Sequence, residues 1–285
     1  MTIKISDLKK KIKSRKADSY KTKNGRVLVV GGSNDYHGAP IFCGLAAVNT
    51  GVDLVKMAVP ESNFEVTRNA SPALIVKKYP GEYLSSRGRE LIYMIAKKAD
   101  VAVIGPGLKD RPETIKAVKD ILLGIDIPVV LDAEAIQALE LVENMPLSQK
   151  LIITPHHGEF EKLIGKAFKI RDPQPHKSRL IRTLANDLKM NILLKGPVDL
   201  IASDDGKIAD NTSGNAGMTK GGTGDVLAGM VGGLIAQGVE MYDAGCLGAY
   251  CLGKAGEKLY KEKGYAYTTM DLIEEIPYQL KSVLN

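Results

Sequence analysis

The sequence predicts an α/β fold, a central and mostly parallel sheet with helices on both faces. Two observations carry this. Short apolar, β-branched runs recur along the chain, each stopped by Gly, Pro or a polar residue. They are apolar almost continuously rather than in alternation, the pattern of strands covered on both faces. Between many of them lie segments with apolar residues three to four apart, which marks a helix with one buried stripe. Strand and helix patterns in alternation imply parallel strands joined by right-handed helical crossovers.

In chain order, the first strand is Arg26–Val30, followed by a helical pattern over 41–48. Strands at 52–59, 73–76 and Val101–Ile104 come next, with a helix over 88–98 between the last two. A helix at 114–122 precedes a strand at 128–131, and Ala133–Leu141 again has helical spacing. A strand at 151–154, helices at 158–164 and 179–188, and strands at Asn191–Leu194 and 198–202 complete the alternation. A Gly-rich apolar helix over 226–237, ended by Gly238, opens the final helical part. Without repeats or low-complexity linkers, the chain reads as one catalytic domain, 26–285, preceded by a basic arm or short helix, 1–25.

The net charge of +6 over 285 residues is unevenly placed. Residues 1–26 hold ten Lys/Arg against two acids, a net of +8, so the remainder carries −2. A nucleic-acid-binding domain spreads basic residues over a face with aromatics between them, and no such stripe follows residue 26. The arm reads as solvated, and nucleic acid is not an expected partner. Cys43, Cys246 and Cys251 are widely spaced, with no CxxC pair, which suits a reducing cytoplasm. The first 25 residues have no apolar core of a secretory signal. The longest apolar stretch, 226–237, is too short for the roughly 20 residues that span a bilayer, so no membrane association is expected.

In open parallel sheets ligands sit at the carboxyl ends of the strands. Here those ends carry Gly31-Gly32-Ser33-Asn34, Gly105-Pro106-Gly107, Asp132-Ala133-Glu134, Thr154-Pro155-His156-His157-Gly158-Glu159 and Lys195-Gly196. The densest segment is 211–225, with Gly214, Gly217, Gly221, Gly222 and Gly224 leading through Asp225 into a helix. Successive backbone N–H groups at Gly222, Thr223 and Gly224 would form an anion hole at that helix N-terminus. An Asp in a first helical turn also serves purely as a cap. Beside a glycine-built anion site, however, a carboxylate supplies the base that phosphoryl transfer needs. Neither a Walker A loop nor a GxGxxG fingerprint is present.

Five segments in this order resemble the ADP/ATP-dependent NAD(P)H-hydrate dehydratases of the ribokinase-like superfamily. They are Val29 to Ser33 with Gly38-Ala39-Pro40, Ile104 to Leu108, Val130 to Glu134, Thr154 to Glu159, and Asn215 to Asp225. The resemblance covers about 20–280 and implies a three-layer α/β/α ribokinase-like fold. It also implies dehydration of the S-epimer of NADHX or NADPHX, with ADP or ATP as phosphoryl donor. Hydroxide leaves poorly, because water has a pKa of about 15.7. Phosphorylating the ring hydroxyl makes a better leaving group, which the ring nitrogen expels, giving NAD(P)H, AMP and phosphate when the donor is ADP.

By the same resemblance, Asp225 is the base and touches substrate, while Gly222, Thr223 and Gly224 hold the phosphoryl group. Ala39, Gly107 and His156 match the family's hydrated-cofactor contacts. Lys195, Gly196, Pro197, Val198, Asp199 and Gly224 match its adenine-nucleotide contacts. Relatives often carry Thr near 199, so Asp199 departs from the pattern. Mg²⁺ is expected with nucleotide phosphates, held through water by Asp132 and Glu159. Adjacent strand residues point oppositely, so His156 rather than His157 should face substrate. A homotetramer and functional pairing with an NAD(P)H-hydrate epimerase are further implications. The main alternative is a small-molecule kinase of the thiazole or hydroxymethylpyrimidine type, which carries TPN in place of TPH. A non-enzymatic nucleotide sensor is a third reading, against which the intact Asp225 and its anion hole count.

Overall fold

Nine strands form one sheet: β1 (Arg26–Val30), β2 (Leu54–Pro60), β3 (Leu74–Tyr79), β4 (Val101–Ile104), β5 (Val129–Leu131), β6 (Leu151–Ile153), β7 (Asn191–Leu194), β8 (Asp199–Ala202) and β9 (Ile208–Asn211). The computed structural model describes residues 2–9, 11, 12, 14–141, 150–164 and 174–284. The spatial order is β3-β2-β1-β4-β5-β6-β7-β8-β9. β1 to β7 pair in parallel, and β8 and β9 add antiparallel. Strand order reverses between β1 and β4, so their carboxyl ends frame a crevice where ligands dock in such sheets.

Successive strand residues feed two separate cores. Val27, Val29, Val103, Val130, Ile152 and Leu193 face one. Leu28, Val30, Ile104, Leu131, Ile153 and Leu194 face the other. The first core is closed by α2 (Gly38–Asn49), α8 (Thr223–Ala236), α9 (Met241–Lys263) and α10 (Thr269–Leu284). The second is closed by α4 (Arg89–Ala96), α5 (Pro112–Gly124), α6 (His157–Ile164) and α7 (Gln174–Asp187). The central strands are apolar on both sides because each side meets helices. The expected three-layer α/β/α arrangement is thus observed.

Helix α8 is the central element, and its glycines explain its placement. A Cβ at Gly229 would stand 2.1 Å from the Cys43 carbonyl oxygen, so α8 and α2 touch backbone to backbone. Val226, Leu227, Met230, Val231 and Leu234 are buried, which makes the Gly-rich stretch a core helix.

Three details depart from expectation. Residues Ala133–Leu141 form consecutive 3₁₀ turns rather than an α-helix, entered through Ala133 at φ +49°. The third strand runs on to Tyr79 through the edge-strand residues Lys77 and Lys78. β9 (IADN) has no apolar run at all. The arm also docks on the body instead of standing free in solvent. Ile3 donates its N–H to the Asp210 carbonyl (2.9 Å), and Leu8, ending α1 (Ile5–Leu8), is buried. Lys11 pairs with Asp243 at 2.8 Å, and Arg15 donates to the Gly51 carbonyl. All three cysteines are buried, and none is in a disulfide among the described residues. Among the described residues no helix is long and apolar enough to cross a membrane.

Candidate active site

The rim at the strand carboxyl ends gathers most of the predicted residues. At the β1/β4 crevice the two loops are tied backbone to backbone. Gly32 donates its N–H to Pro106 (2.9 Å), and the Ser33 hydroxyl donates to the Gly107 carbonyl (2.9 Å). Gly107 sits at φ +71°, and a Cβ there would stand 3.1 Å from that of Ala39 in the first turn of α2. Ala39 and Gly107 are therefore neighbours, as two contacts to one ligand require.

The centre of the rim is a charged cluster. Asp132, which follows β5, is 2% exposed, and its Oδ1 accepts from the Thr154 hydroxyl (2.8 Å) and from Lys195 Nζ (2.8 Å). Burial opposes the Lys195 charge, but Asp132, Glu159 and Asp225 outweigh it and hold its pKa above the usual value. Lys195 Nζ also covers Gly224, where a Cβ would stand 3.1 Å away. Asp225 occupies the first turn of α8 and has no hydrogen-bond partner among the described residues. Burial pushes its carboxyl up to about 7, Asp132, Glu134 and Glu159 push the same way, and Lys195 opposes them. A carboxylate with that pKa is divided between its acid and base forms near neutrality, which suits a general base.

The glycine loop enters α8 through Gly222 at φ +92°, a left-handed conformation in which a Cβ would also strike Phe42 at 2.5 Å. No side chain caps the helix. Of the three donors expected there, Thr223 is not free. Its N–H goes to the Lys220 carbonyl (3.2 Å), because the loop closes a turn on itself just before the helix. The N–H groups of Gly222, Gly224 and Asp225 have no partner among the described residues. The donors left open at this helix N-terminus are thus these three, while Thr223 contributes a buried hydroxyl, also without a partner among the described residues.

Neither histidine is in a strand: β6 ends at Ile153 and His157 opens α6, so strand alternation does not set their directions. His156 is exposed on the rim and His157 is half-buried. His156 and Glu159 hold each other: the His156 N–H donates to Glu159 Oε2 (2.8 Å), and the Glu159 N–H donates to His156 Nδ1 (3.1 Å). The Lys195 N–H donates to the Pro155 carbonyl (2.8 Å), which sets His156 beside Lys195. His157 packs on Gly196, where a Cβ would come within 2.7 Å of Nε2.

Gly196 and Pro197 are exposed and Val198 is half-buried in the turn from β7 to β8. Asp199 closes that turn. Its Oδ1 accepts from the Gly196 N–H (3.0 Å) and its Oδ2 from Asn211 Nδ2 (2.9 Å). Burial raises its pKa against these bonds. The departure at 199 is thus a turn-shaping carboxylate whose two oxygens are engaged within the protein. Thr154, Glu134 and Phe42 join the site without having been singled out. Thr154 and Glu134 lie in quoted segments, whereas Phe42 carries no local signal.

The chain matches proteins of known kind over nearly its whole length. It is 39% identical over 279 residues to the ADP-dependent (S)-NAD(P)H-hydrate dehydratase of Cenarchaeum symbiosum, covering 96% of this chain and 95% of that protein. It is 40% identical over 272 residues to the bifunctional NAD(P)H-hydrate repair enzyme of Methanocaldococcus jannaschii, covering 95% of this chain but only 51% of that protein. The chain therefore spans about half the length of its bifunctional relatives. Among solved structures, the ADP/ATP-dependent NAD(P)H-hydrate dehydratase of Bacillus subtilis, co-crystallised with ATP/Mg²⁺, superposes with a TM-score of 0.79 at 26% identity, covering 98% of this chain and 97% of that chain. The NAD(P)H-hydrate dehydratase family model matches residues 27–278, and the chain belongs to that family.

Proposed function

We propose that the protein is an ADP-dependent dehydratase that repairs the S-epimer of NADHX or NADPHX to NAD(P)H. The observation that carries this reading is Asp225, an unpaired carboxylate with a pKa near 7 set beside free backbone donors and Lys195. Asp225 takes the proton of the ring hydroxyl as its oxygen attacks the β-phosphorus of ADP, and AMP leaves. The N–H groups of Gly222, Gly224 and Asp225, with Lys195, hold the charge that builds on the transferring phosphoryl group. The ring nitrogen then expels phosphate, a proton leaves the adjacent ring carbon, and the dihydronicotinamide is restored. Ala39, Gly107 and His156 hold the hydrated ring, and the 195–199 turn holds the nucleotide.

Mg²⁺ suits the donor set. Burial raises the proton affinity of Glu134 and of Asp225; Asp132 and Glu159 add to it at both, Glu134 adds to it at Asp225, and Lys195 opposes it there. Hard oxygen ligands of this kind favour Mg²⁺. The described residues contain no group of three His, Cys, Asp or Glu that could hold a metal by themselves. Asp132 and Glu159 would therefore hold the ion through water, where it would neutralise nucleotide phosphates. A cytoplasmic homotetramer working with a separate epimerase completes the proposal.

The test is to incubate the protein with NADHX, ADP and Mg²⁺ and follow absorbance at the dihydronicotinamide band. Restored NADH with equimolar AMP and phosphate is the expected result. A stable phosphoester, or no NADH with either ADP or ATP, would overturn the reading.

A further inference from the structure

The glycine loop that supplies the anion hole is held from outside, by the segment leading into α10. Three hydrogen bonds and one cation–π contact tie the two together. The Tyr267 hydroxyl donates to Asn215 Oδ1 (2.9 Å), which also accepts from the Gly217 N–H (2.8 Å). Lys220 Nζ donates to the Tyr265 carbonyl (2.6 Å) and lies over the Tyr267 ring. The Thr269 hydroxyl donates to the Gly221 carbonyl (2.9 Å). Thr269 is itself fixed. It is buried in the first turn of α10, directly after Thr268, whose N–H donates to Asp271 (2.6 Å) while the Asp271 N–H donates back to the Thr268 hydroxyl (3.1 Å). That reciprocal arrangement is a capping box.

The bond from Thr269 matters more than its length suggests. The Gly221 carbonyl and the Gly222 N–H belong to one planar trans peptide, so they point in opposite directions. Fixing the carbonyl on α10 fixes the Gly222 N–H away from α10, where it is left for an anion. Between two glycines such a peptide turns over easily, because neither residue resists positive φ. Exposed Gly221 has no neighbour within 4 Å of where its Cβ would be, so packing does not hold it.

We propose that Thr269 is a positioning residue for phosphoryl transfer, which locks the Gly221–Gly222 peptide so that the Gly222 N–H faces the transferring phosphoryl group. The proposal rests on the reading of 222–225 as the phosphoryl site. Losing one such donor outright costs about 10²–10³ in rate in other enzymes. Removing only its lock should cost less.

The experiment compares wild type, Thr269→Val and Thr269→Ser with NADHX, ADP and Mg²⁺, reading kcat, both KM values and Tm. The expected result for Thr269→Val is a kcat lower by about tenfold or more, with the KM for NADHX unchanged and a folded protein by Tm. Thr269→Ser should restore most of kcat, since it returns the hydroxyl. A valine variant with wild-type kcat, or a serine variant as slow as valine, would overturn the proposal. An inactive wild type would instead sink the phosphoryl-site reading, and the proposal with it.

Discussion

At the end of β5 the carboxylate of Asp132 accepts from Thr154 and Lys195, whereas at the head of α8 that of Asp225 has no hydrogen-bond partner among the described residues. Both lie on one rim and share Lys195 and Glu159 as charged neighbours. The difference between them is one of use. Asp132 orients a lysine and adds negative charge, and Asp225 receives the effect of that charge as a raised proton affinity. A carboxylate suited to act as a base thus stands without a hydrogen-bond partner among the described residues, near another whose Oδ1 is held by Thr154 and Lys195.

The most severe change is loss of the Asp225 charge. Asp225→Asn should keep the fold and nucleotide binding but lower kcat by at least about a hundredfold, the scale of a lost general base. Steady-state rates with nucleotide titrations check this. The same variant should be more stable than wild type at high pH. The folded pKa of about 7 exceeds the unfolded value of about 3.9, so the native state binds more protons between them. Wild-type stability therefore falls as pH rises through that window, and the asparagine variant lacks this loss. Tm measured from pH 4 to 8 should show the two proteins diverging as pH increases.

Changing the charged neighbours of Asp225 should shift its proton affinity in opposite directions. Lys195→Met removes the cation that opposes proton binding at Asp225, so the acidic limb of kcat/KM should move to higher pH. Asp132→Asn removes a like charge and releases Lys195, so that limb should move lower. It should also destabilise the protein by about 3 kcal/mol, because a largely buried ion pair is broken. pH–rate profiles with denaturant titrations check both. The smallest effect is expected far from the rim. Deleting 1–16 should leave kcat unchanged within about twofold while lowering Tm, since Leu8 packs in the core and Lys11 and Arg15 hold the body.

Much of the fold was legible because its strands are buried on both faces and so read as unbroken apolar runs. β9 was not, since an edge strand needs no apolar run and IADN offers none. The 133–141 segment kept helical spacing yet formed 3₁₀ turns, because spacing alone does not register the left-handed entry at Ala133. The residues of the site were legible where type and order carry chemistry, as with Asp225, Lys195 and the glycines. Their partnerships were not. Nothing in the sequence says that Thr223 gives its N–H to Lys220, that Asp199 closes a turn on Asn211, or that Thr269 grips Gly221 across 48 residues.

The role of Asp225 is decided by a single-turnover pH profile of wild type and Asp225→Asn, both preloaded with ADP and Mg²⁺ and mixed with NADHX. With Asp225 as base, the wild-type rate of NADH appearance rises with pH through about 7 and the variant shows a slow, pH-independent rate. Equal rates in the two proteins, or the same acidic limb in both, would contradict that role.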